Sequence, residues 1–253
     1  MQDRTKIGRA LGAIVVLGLA AVFPAKADVL NGGFELNGSP EPINYNVIGN
    51  TSVQDSSYYT PVAGNQQAVL SNGQASINGS ANPSSTNISA LNTFFGVTLG
   101  ANVKSGSGIS QTFTAGAGNI VKFSYDFVTT DPNNADFGFF TLQGPSGPVG
   151  LNSLANSLQA GLNPVQISDG IIFDDFNPGK QTGYKTVQFT LASAGTYTLG
   201  FGVANVGDQT GVSGLLLDAI SVTPLPSAAW GGMAILGALG VTQHARRRKT
   251  VLV

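Results

Sequence analysis

The sequence predicts an all-β fold, an antiparallel β-sandwich or jelly roll, with a short apolar helix at the N-terminus and a transmembrane helix at the C-terminus. Three observations support this prediction. Apolar and polar side chains alternate over several short segments, Asn-Gly turn pairs recur along the chain, and helical periodicity is rare. Many short strands with polar turns are typical of sandwiches. We therefore divide the chain into residues 1–27, 28–223 and 224–253.

Residues 1–27 have the composition of a secretory signal peptide. A basic segment precedes the apolar run Ala10–Val22, and the small residues Ala25 and Ala27 precede Asp28. The basic residues are Arg4, Lys6 and Arg9. The run is shorter than the roughly 20 residues that a membrane-spanning helix needs. We therefore expect export through the Sec translocon and cleavage after Ala27.

Period-2 alternation predicts the strands of residues 28–223. Apolar side chains share one face in three segments: Val121, Phe123, Tyr125 and Phe127; Val187, Phe189 and Leu191; Tyr197, Leu199, Phe201 and Val203. Shorter strands are predicted at Gln67–Ser71, Phe94–Leu99, Ile109–Thr114, Phe137–Leu142 and Leu215–Val222. The exception is Leu151–Gly161, where leucines at helical spacing predict a short helix.

The charge of residues 28–226 excludes several functions. Four lysines and twelve acidic residues leave a net charge of −8, against −1 for the whole chain, and every arginine lies in the two ends. A nucleic acid would find few cations to neutralise its phosphates, so we expect no nucleic-acid partner. The chain has no cysteine, and its single histidine is His244 in the tail. Since most hydrolytic sites need such groups, we expect the protein not to be an enzyme.

Residues 224–253 combine a proline motif, an apolar run and a basic cluster. Pro224, Leu225 and Pro226 end the last predicted strand, and residues 226–245 are uncharged and long enough to span a membrane as a helix, with Trp230 near the outer end. The basic cluster consists of Arg246, Arg247, Arg248 and Lys249. Such a cluster stays in the cytoplasm. A buried core helix, the alternative, has no need of four consecutive cations.

This tail resembles the PEP-CTERM sorting signal, which is handled by exosortase, an integral-membrane transpeptidase of Gram-negative bacteria. Leu225 stands where the commonest form of the motif has Glu. The resemblance implies that the inner membrane holds the protein until exosortase processes it, and that its destination is the cell surface or the extracellular matrix.

Two further segments resemble carbohydrate-binding-module-like jelly rolls of the galactose-binding-like fold. LNGGFE, which ends at Glu35, resembles their first strand, and LLLDAISVTP, which contains Asp218, resembles their last. In that family a Glu of the first strand and an Asp of the last can hold a structural Ca²⁺. The resemblance therefore implies a calcium site at Glu35 and Asp218.

The alternation around Asp218 leaves two arrangements open. In the first, Asp218 shares a buried face with Leu216 and Ile220, and its carboxylate needs a partner such as Ca²⁺ because burying an unpaired charge is costly. In the second, Leu215 and Leu217 face the core and Asp218 is solvated.

Sugar sites commonly offer an aromatic platform. Residues 28–226 contain no Trp, since the single Trp of the sequence is Trp230. Tyr58 and Tyr59 are therefore the candidate ligand-binding residues, with structural packing as the alternative. We expect a structural protein of the cell surface or of a polysaccharide-rich matrix. The alternatives are a carbohydrate-binding module and, third, a secreted glycan-active enzyme.

We predict that residues 224–253 are removed or exchanged during export, because the tail resembles a transpeptidation substrate. The mass of the protein recovered from the cell envelope measures this directly. Recovery of an intact C-terminus that still carries Trp230 and Arg248 would reduce the tail to a simple anchor.

Overall fold

The computed structural model describes residues 29–36, 41–55, 59–73, 86–145, 147–166, 178–208 and 211–224. The predicted signal peptide and the predicted sorting signal after Pro224 lie outside the described residues. Within the ranges that are described, no helix is long and apolar enough to cross a membrane.

The described ranges contain thirteen strands and one helix. In chain order these are β1 (Asn46–Ile48), β2 (Asn50–Asp55), β3 (Gln66–Ser71), β4 (Thr86–Asn87), α1 (Ile88–Phe95), β5 (Val103–Ala115), β6 (Ile120–Thr129), β7 (Phe137–Gln143), β8 (Gly150–Asn156), β9 (Asn163–Gln166), β10 (Pro178–Gln181), β11 (Lys185–Thr190), β12 (Gly195–Val206) and β13 (Ser213–Thr223).

The strands form two antiparallel sheets, which confirms the predicted sandwich. The six-stranded sheet has the order β1-β5-β12-β7-β8, with β4 also paired to β5. The seven-stranded sheet has the order β2-β3-β13-β6-β10-β9, with β11 also paired to β6. In each sheet a long central pair, β5 with β12 and β6 with β13, provides most of the ladder.

The core between the sheets consists of the apolar faces that the sequence predicts. β6 and β12 contribute buried side chains from opposite sheets: Val121, Phe123, Tyr125 and Phe127 from one, and Tyr197, Leu199, Phe201 and Val203 from the other. The rings of Phe123 and Phe201 meet edge to face, with centroids 4.8 Å apart. Burying each such ring stabilises the fold by about 1.5–3 kcal/mol, so this cluster dominates the cohesion of the sandwich.

A β-bulge in β13 changes which residues face the core. The register against β6 shifts after Asp218, and Ala219 has φ 53°, in the left-handed region. Because the bulge inserts one residue, Leu217 faces the core before it and Ile220 faces the core after it. Neither predicted alternation holds for the whole strand: Asp218 is buried as the first requires, but Ile220 lies on the opposite face.

The predicted strand Phe94–Leu99 is wrong, because its first residues belong to α1. The Asn87 side chain caps the helix by accepting a hydrogen bond of 3.1 Å from the Ala90 backbone N–H, and Gly96 ends it with φ 66°. Both capping residues are helix signals in the sequence. Leu91 and Phe95, one turn apart, are the buried residues of the helix.

Two further segments differ from expectation. Residues predicted as a helix at Leu151–Gly161 begin as strand β8, which gains a hydrogen-bonded ladder with β7 that outweighs the local spacing of its leucines.

The segment LNGGFE forms a turn in place of a strand. Its Phe34 N–H donates to the Asn31 carbonyl at 3.0 Å, which places Gly32 and Gly33 at the centre of the turn. Asn31 and Phe34, at the two ends of the turn, have positive φ values of 54° and 58°.

Glycines on the outer face of the six-stranded sheet make room for α1. A Cβ on Gly108 would lie 2.8 Å from the Phe201 carbonyl oxygen and 2.9 Å from Cε2 of Phe95. A Cβ on Gly200 would lie 2.9 Å from Cδ1 of the same ring. Since real Cβ atoms do not approach so closely, Phe95 can rest on the sheet only because β5 and β12 carry glycine there.

We predict that Gly108→Ala lowers the free energy of unfolding by about 1–3 kcal/mol, because the added methyl overfills the seat of Phe95. Urea denaturation of the purified protein measures the change. Gly147→Ala is the matched control: a Cβ there meets nothing within 4 Å, and the expected change is within about 0.5 kcal/mol. Equal losses for the two variants would mean that the helix has no such seat.

Candidate binding site

A cavity of about 130 Å³ opens on the outer face of the six-stranded sheet, beside the C-terminal end of α1. Its lining residues come from the helix, from three neighbouring strands and from the segment before β8. They are Thr93, Phe94, Phe95, Gly96, Ser110, Thr141, Gln143, Val149 and Thr198. A dry cavity of about 150 Å³ can hold a benzene ring, so this cavity is close to the size of a single six-membered ring.

The floor of the cavity is a patch of hydroxyl groups on adjacent strands. Ser110 of β5 and Thr141 of β7 both lie opposite Gly200 of β12, one on each side of it. Thr198 lies two residues before Gly200 on β12 and therefore on the same face. Its Oγ1 is 2.9 Å from Oγ1 of Thr112. Since Gly200 has no side chain, the hydroxyls of Ser110 and Thr141 are not separated by one.

The wall of the cavity is aromatic. Phe94 is half-buried and Phe95 is buried, and their rings meet edge to face with centroids 4.9 Å apart. Phe95 also contacts Phe139 edge to face at 5.0 Å, which fixes its orientation against the sheet. Alongside the cavity, Thr112, Thr114 and Thr196 are exposed on the same face. The whole surface therefore combines rings with hydroxyl groups.

None of the side chains that line the cavity carries a charge. Hydroxyl groups both donate and accept hydrogen bonds, and the Gln143 amide adds two donors and an acceptor. Apolar rings beside such groups suit a ligand that has apolar faces and a hydroxylated rim. The chemistry of the cavity thus favours a neutral, hydroxyl-rich ligand over an ion.

The structure places both predicted calcium ligands against the segment that precedes β3. Glu35 Oε1 accepts hydrogen bonds from the backbone N–H groups of Asn65, at 2.7 Å, and Gln66, at 2.8 Å. Asp218 Oδ2 accepts one from the Ala63 N–H at 2.8 Å. Two carboxylates from distant parts of the chain therefore hold one loop.

Electrostatics around Asp218 are consistent with a cation. Asp218 is buried, and burial raises its pKa, with the charge of Glu35 raising it further. Like charges close enough to repel favour a shared cation. The contacts described for Glu35 use only its Oε1 atom, so the donor chemistry fits Ca²⁺, which takes carboxylate and carbonyl oxygens. Within the described ranges, however, no group of three acidic, cysteine or histidine side chains converges, so any further ligands would be uncharged oxygen atoms of the protein or water.

Tyr59 lies over the outer face of the seven-stranded sheet. It packs against the buried cluster of Val69, Val128 and Leu216, and its carbonyl accepts a hydrogen bond from Gln67 Nε2 at 2.9 Å. This is the packing that the sequence left open as the alternative for the tyrosine pair. A ligand platform at Tyr59 stays a prediction, and Tyr58 lies outside the described residues.

Buried polar side chains form a layer beneath Tyr59. The Tyr184 hydroxyl donates to Gln67 Oε1, and Thr182 Oγ1 donates to Asp126 Oδ1 at 3.0 Å. Burial raises the pKa of Asp126 to about 6, although the Thr182 contact opposes the rise. Asp126 lies on the face of β6 opposite the core residues Phe123 and Phe127, and it is buried, so the outer face of the sheet is covered here.

A second buried carboxylate ties one end of the sandwich together. Asp136 Oδ1 accepts a hydrogen bond from the Val206 N–H at 2.8 Å, while Oδ2 accepts from Asn72 Nδ2 at 2.7 Å and from Ser213 Oγ at 2.9 Å. These partners belong to both sheets. Burial raises the pKa of Asp136 to about 6. With every described contact directed at protein groups, Asp136 has a structural role.

The sequence did not point to the cavity. Its aromatic wall consists of Phe94 and Phe95, which were predicted as the start of a strand and lie at the end of α1. Its floor depends on Ser and Thr side chains that resemble any exposed strand face. The signals that could have found it are the capping residues Asn87 and Gly96 and the glycines of β5 and β12.

Comparison with known proteins gives structural similarities only. No protein-family model and no curated protein sequence matches the chain. Among solved structures, it is similar to TmCBM61 in complex with beta-1,4-galactotriose, with a TM-score of 0.42 and 12% identity over 79% of this chain and 100% of the other.

Two further structures have comparable similarity. The K1 cleaved adhesin domain of Lys-gingipain from Porphyromonas gingivalis W83 has a TM-score of 0.40 and 12% identity over 77% of this chain and 96% of the other. The enzymatically active domain of bacteriophage CBA120 tailspike protein 4 has a TM-score of 0.37 and 11% identity over 79% of this chain and 21% of the other. These similarities do not identify the family of the chain.

Proposed function

We propose that this is an exported protein of the cell surface or extracellular matrix whose sandwich domain binds a neutral polysaccharide. The single observation that carries the proposal is the uncharged cavity beside α1, with its aromatic wall and hydroxyl floor. Sugar rings have apolar faces and hydroxylated edges, and they are recognised by this combination of side chains.

The surroundings of the cavity support a polymer as the ligand. The exposed threonines of β5 and β12 extend the hydroxyl surface beyond the cavity, so neighbouring sugar units have groups to bind. Residues 28–226 carry a net charge of −8. An acidic polysaccharide would be repelled at long range, whereas a neutral one would not.

Binding without hydrolysis is part of the proposal. Glycoside hydrolysis uses two carboxyl groups on either side of the scissile bond, and no residue that lines the cavity is acidic. A purely structural matrix protein, which needs the sandwich but no ligand, is the second candidate. The sorting pattern of residues 224–253 is the observation that favours this structural candidate. Retention of the protein on polysaccharide distinguishes the binding candidate from the structural one.

Export and sorting complete the proposal. The signal-peptide pattern of residues 1–27 supports passage through the Sec translocon, and the pattern of residues 224–253 supports processing by exosortase at the inner membrane. Calcium is proposed as a structural cofactor, held by Glu35 and Asp218 together with backbone oxygens. Its role would be to neutralise two repelling carboxylates and to fasten residues 61–66 between the ends of the domain.

We predict that Thr198→Val weakens binding to neutral polysaccharide about fivefold, because it removes one hydroxyl hydrogen bond of about 1 kcal/mol while keeping the side-chain shape. Phe94→Ala is expected to weaken binding about tenfold through loss of the aromatic wall. Affinity electrophoresis of the purified protein in gels containing glucan, galactan or mannan measures both.

Thr190→Val is the matched control, since Thr190 is an exposed strand residue of the other sheet. It should migrate as the unsubstituted protein does. If Thr198→Val and Thr190→Val bind equally well, the cavity is not the binding site. If no neutral polysaccharide retards the unsubstituted protein, the structural candidate replaces the binding one.

We predict that excess Ca²⁺ raises the melting temperature by several degrees and that a chelator lowers it again. A ligand that binds only the folded state at 100 times its Kd stabilises by about 2.7 kcal/mol. Asp218→Asn should abolish the response, whereas Glu41→Gln, which removes an exposed carboxylate outside the site, should keep it. An identical melting temperature in Ca²⁺ and in chelator would show that Glu35 and Asp218 hold the loop without a cation.

A further inference from the structure

Strand β8 forms one edge of the six-stranded sheet. It pairs with β7 on one side, and no described strand pairs with it on the other. Residues Gly150–Ser153 are exposed. An edge strand of this kind presents unpaired backbone groups that can accept a further strand.

The other edge strands carry features that hinder pairing, and β8 does not. β1 has three residues, and β9 has four and contains Pro164. β2 ends in the charged Asp55, and β11 begins with the charged Lys185. β8 has seven residues with neither a charge nor a proline. Short length, charge and proline are the usual protections of an edge.

The chain on either side of β8 is uncharged. No charged residue occurs from Phe137 to Ser168. Two large apolar side chains are exposed at this edge, Leu151 at 40% and Leu158 at 52%. Because β8 and the chain on either side of it carry no charge, two identical copies can bring this strand together without repulsion between its own side chains.

We propose that β8 pairs antiparallel with β8 of a second copy of this chain, so that the two six-stranded sheets become continuous. Because both copies present the same edge, one contact pairs the backbone groups of β8 on both copies at once, as a closed two-fold interface requires. The extra residue Leu154 forms a bulge against β7, between Ser153 and Ala155. The flat part of the interface is therefore Gly150–Ser153.

This dimer goes beyond the proposed function and would strengthen it. The two-fold axis of an antiparallel strand pair is perpendicular to the sheet, so both cavities face the same side. Val149, which lines the cavity, directly precedes β8, so the two cavities lie near the interface. If they bind polysaccharide as proposed, one polymer can contact both, and avidity exceeds the affinity of either.

Single cysteines test the proposal in the full chain, which has none of its own. Symmetry requires one residue of β8 to lie directly opposite its own copy, with Cα atoms about 4.5–5.5 Å apart. That is within disulfide range. A cysteine one residue away lies opposite a position two residues from its copy, beyond disulfide reach.

We expect that, among cysteines introduced singly at positions 150–153, one gives a covalent dimer on mild oxidation and its neighbours give much less. Thr190→Cys on β11 is the exposed control and should stay monomeric. If the reactive cysteine is at a position other than 151, adding Leu151→Lys to that variant should reduce the cross-linked fraction severalfold, whereas adding Thr190→Lys on β11 should not.

Non-reducing electrophoresis reads out each variant, and unchanged melting temperatures confirm folding. Cross-linking at none of the four positions, or at all of them no more than at Thr190→Cys, would overturn the dimer. A monomer by sedimentation together with strand capture by a different protein would assign the edge to another partner. Neither result depends on polysaccharide binding, so failure here and failure of the proposed function are distinguishable.

Discussion

The buried carboxylate of Asp218 and the bulge that follows it are the constraint on which the arrangement of this domain depends. The Ala219 N–H donates to Asp218 Oδ1 at 2.6 Å, and the Ile220 N–H, turned away from its own sheet, donates to the Gly32 carbonyl at 2.9 Å. A Cβ on Gly32 would overlap the Ile220 carbonyl. Asp218 and the bulge thus connect the last strand to the N-terminal turn and to the loop that contains Ala63. The extra residue also keeps the apolar side chains of β13 in the core both before and after the bulge.

The outer faces of the two sheets are covered in different ways. The seven-stranded sheet buries a polar layer under Tyr59 and Tyr184, and it includes Asp126. In the described part of that layer the Gln54 amide and the Ser52 hydroxyl have no hydrogen-bond partner, which costs stability unless water or a ligand satisfies them. The six-stranded sheet instead uses glycine to seat a helix, and the space beside that helix is the uncharged cavity.

Charge distribution connects the proposed binding and the proposed assembly. The cavity and strand β8 carry no charged side chain, and they adjoin each other at Val149. A neutral polymer and a second copy therefore approach the same side of the sandwich. The two contacts use different groups, side-chain hydroxyls for the polymer and backbone groups for the strand, so both can form together.

The sequence by itself determined the sandwich, the inward faces of β6 and β12 and the acidic, cysteine-free composition of the domain, because period-2 burial and composition are local properties. The candidate pair Glu35 and Asp218 came only from the resemblance of two short segments to a known family. Only the tertiary structure decided the rest. Strand pairing with β7 overrode the helical leucine spacing of β8, and packing on glycines made a helix of α1. One inserted residue at Ala219 reversed the faces of β13. The cavity is formed by residues distant in the chain, so the local signals of its parts, the caps of α1 and the glycines of β5 and β12, do not show that these parts meet.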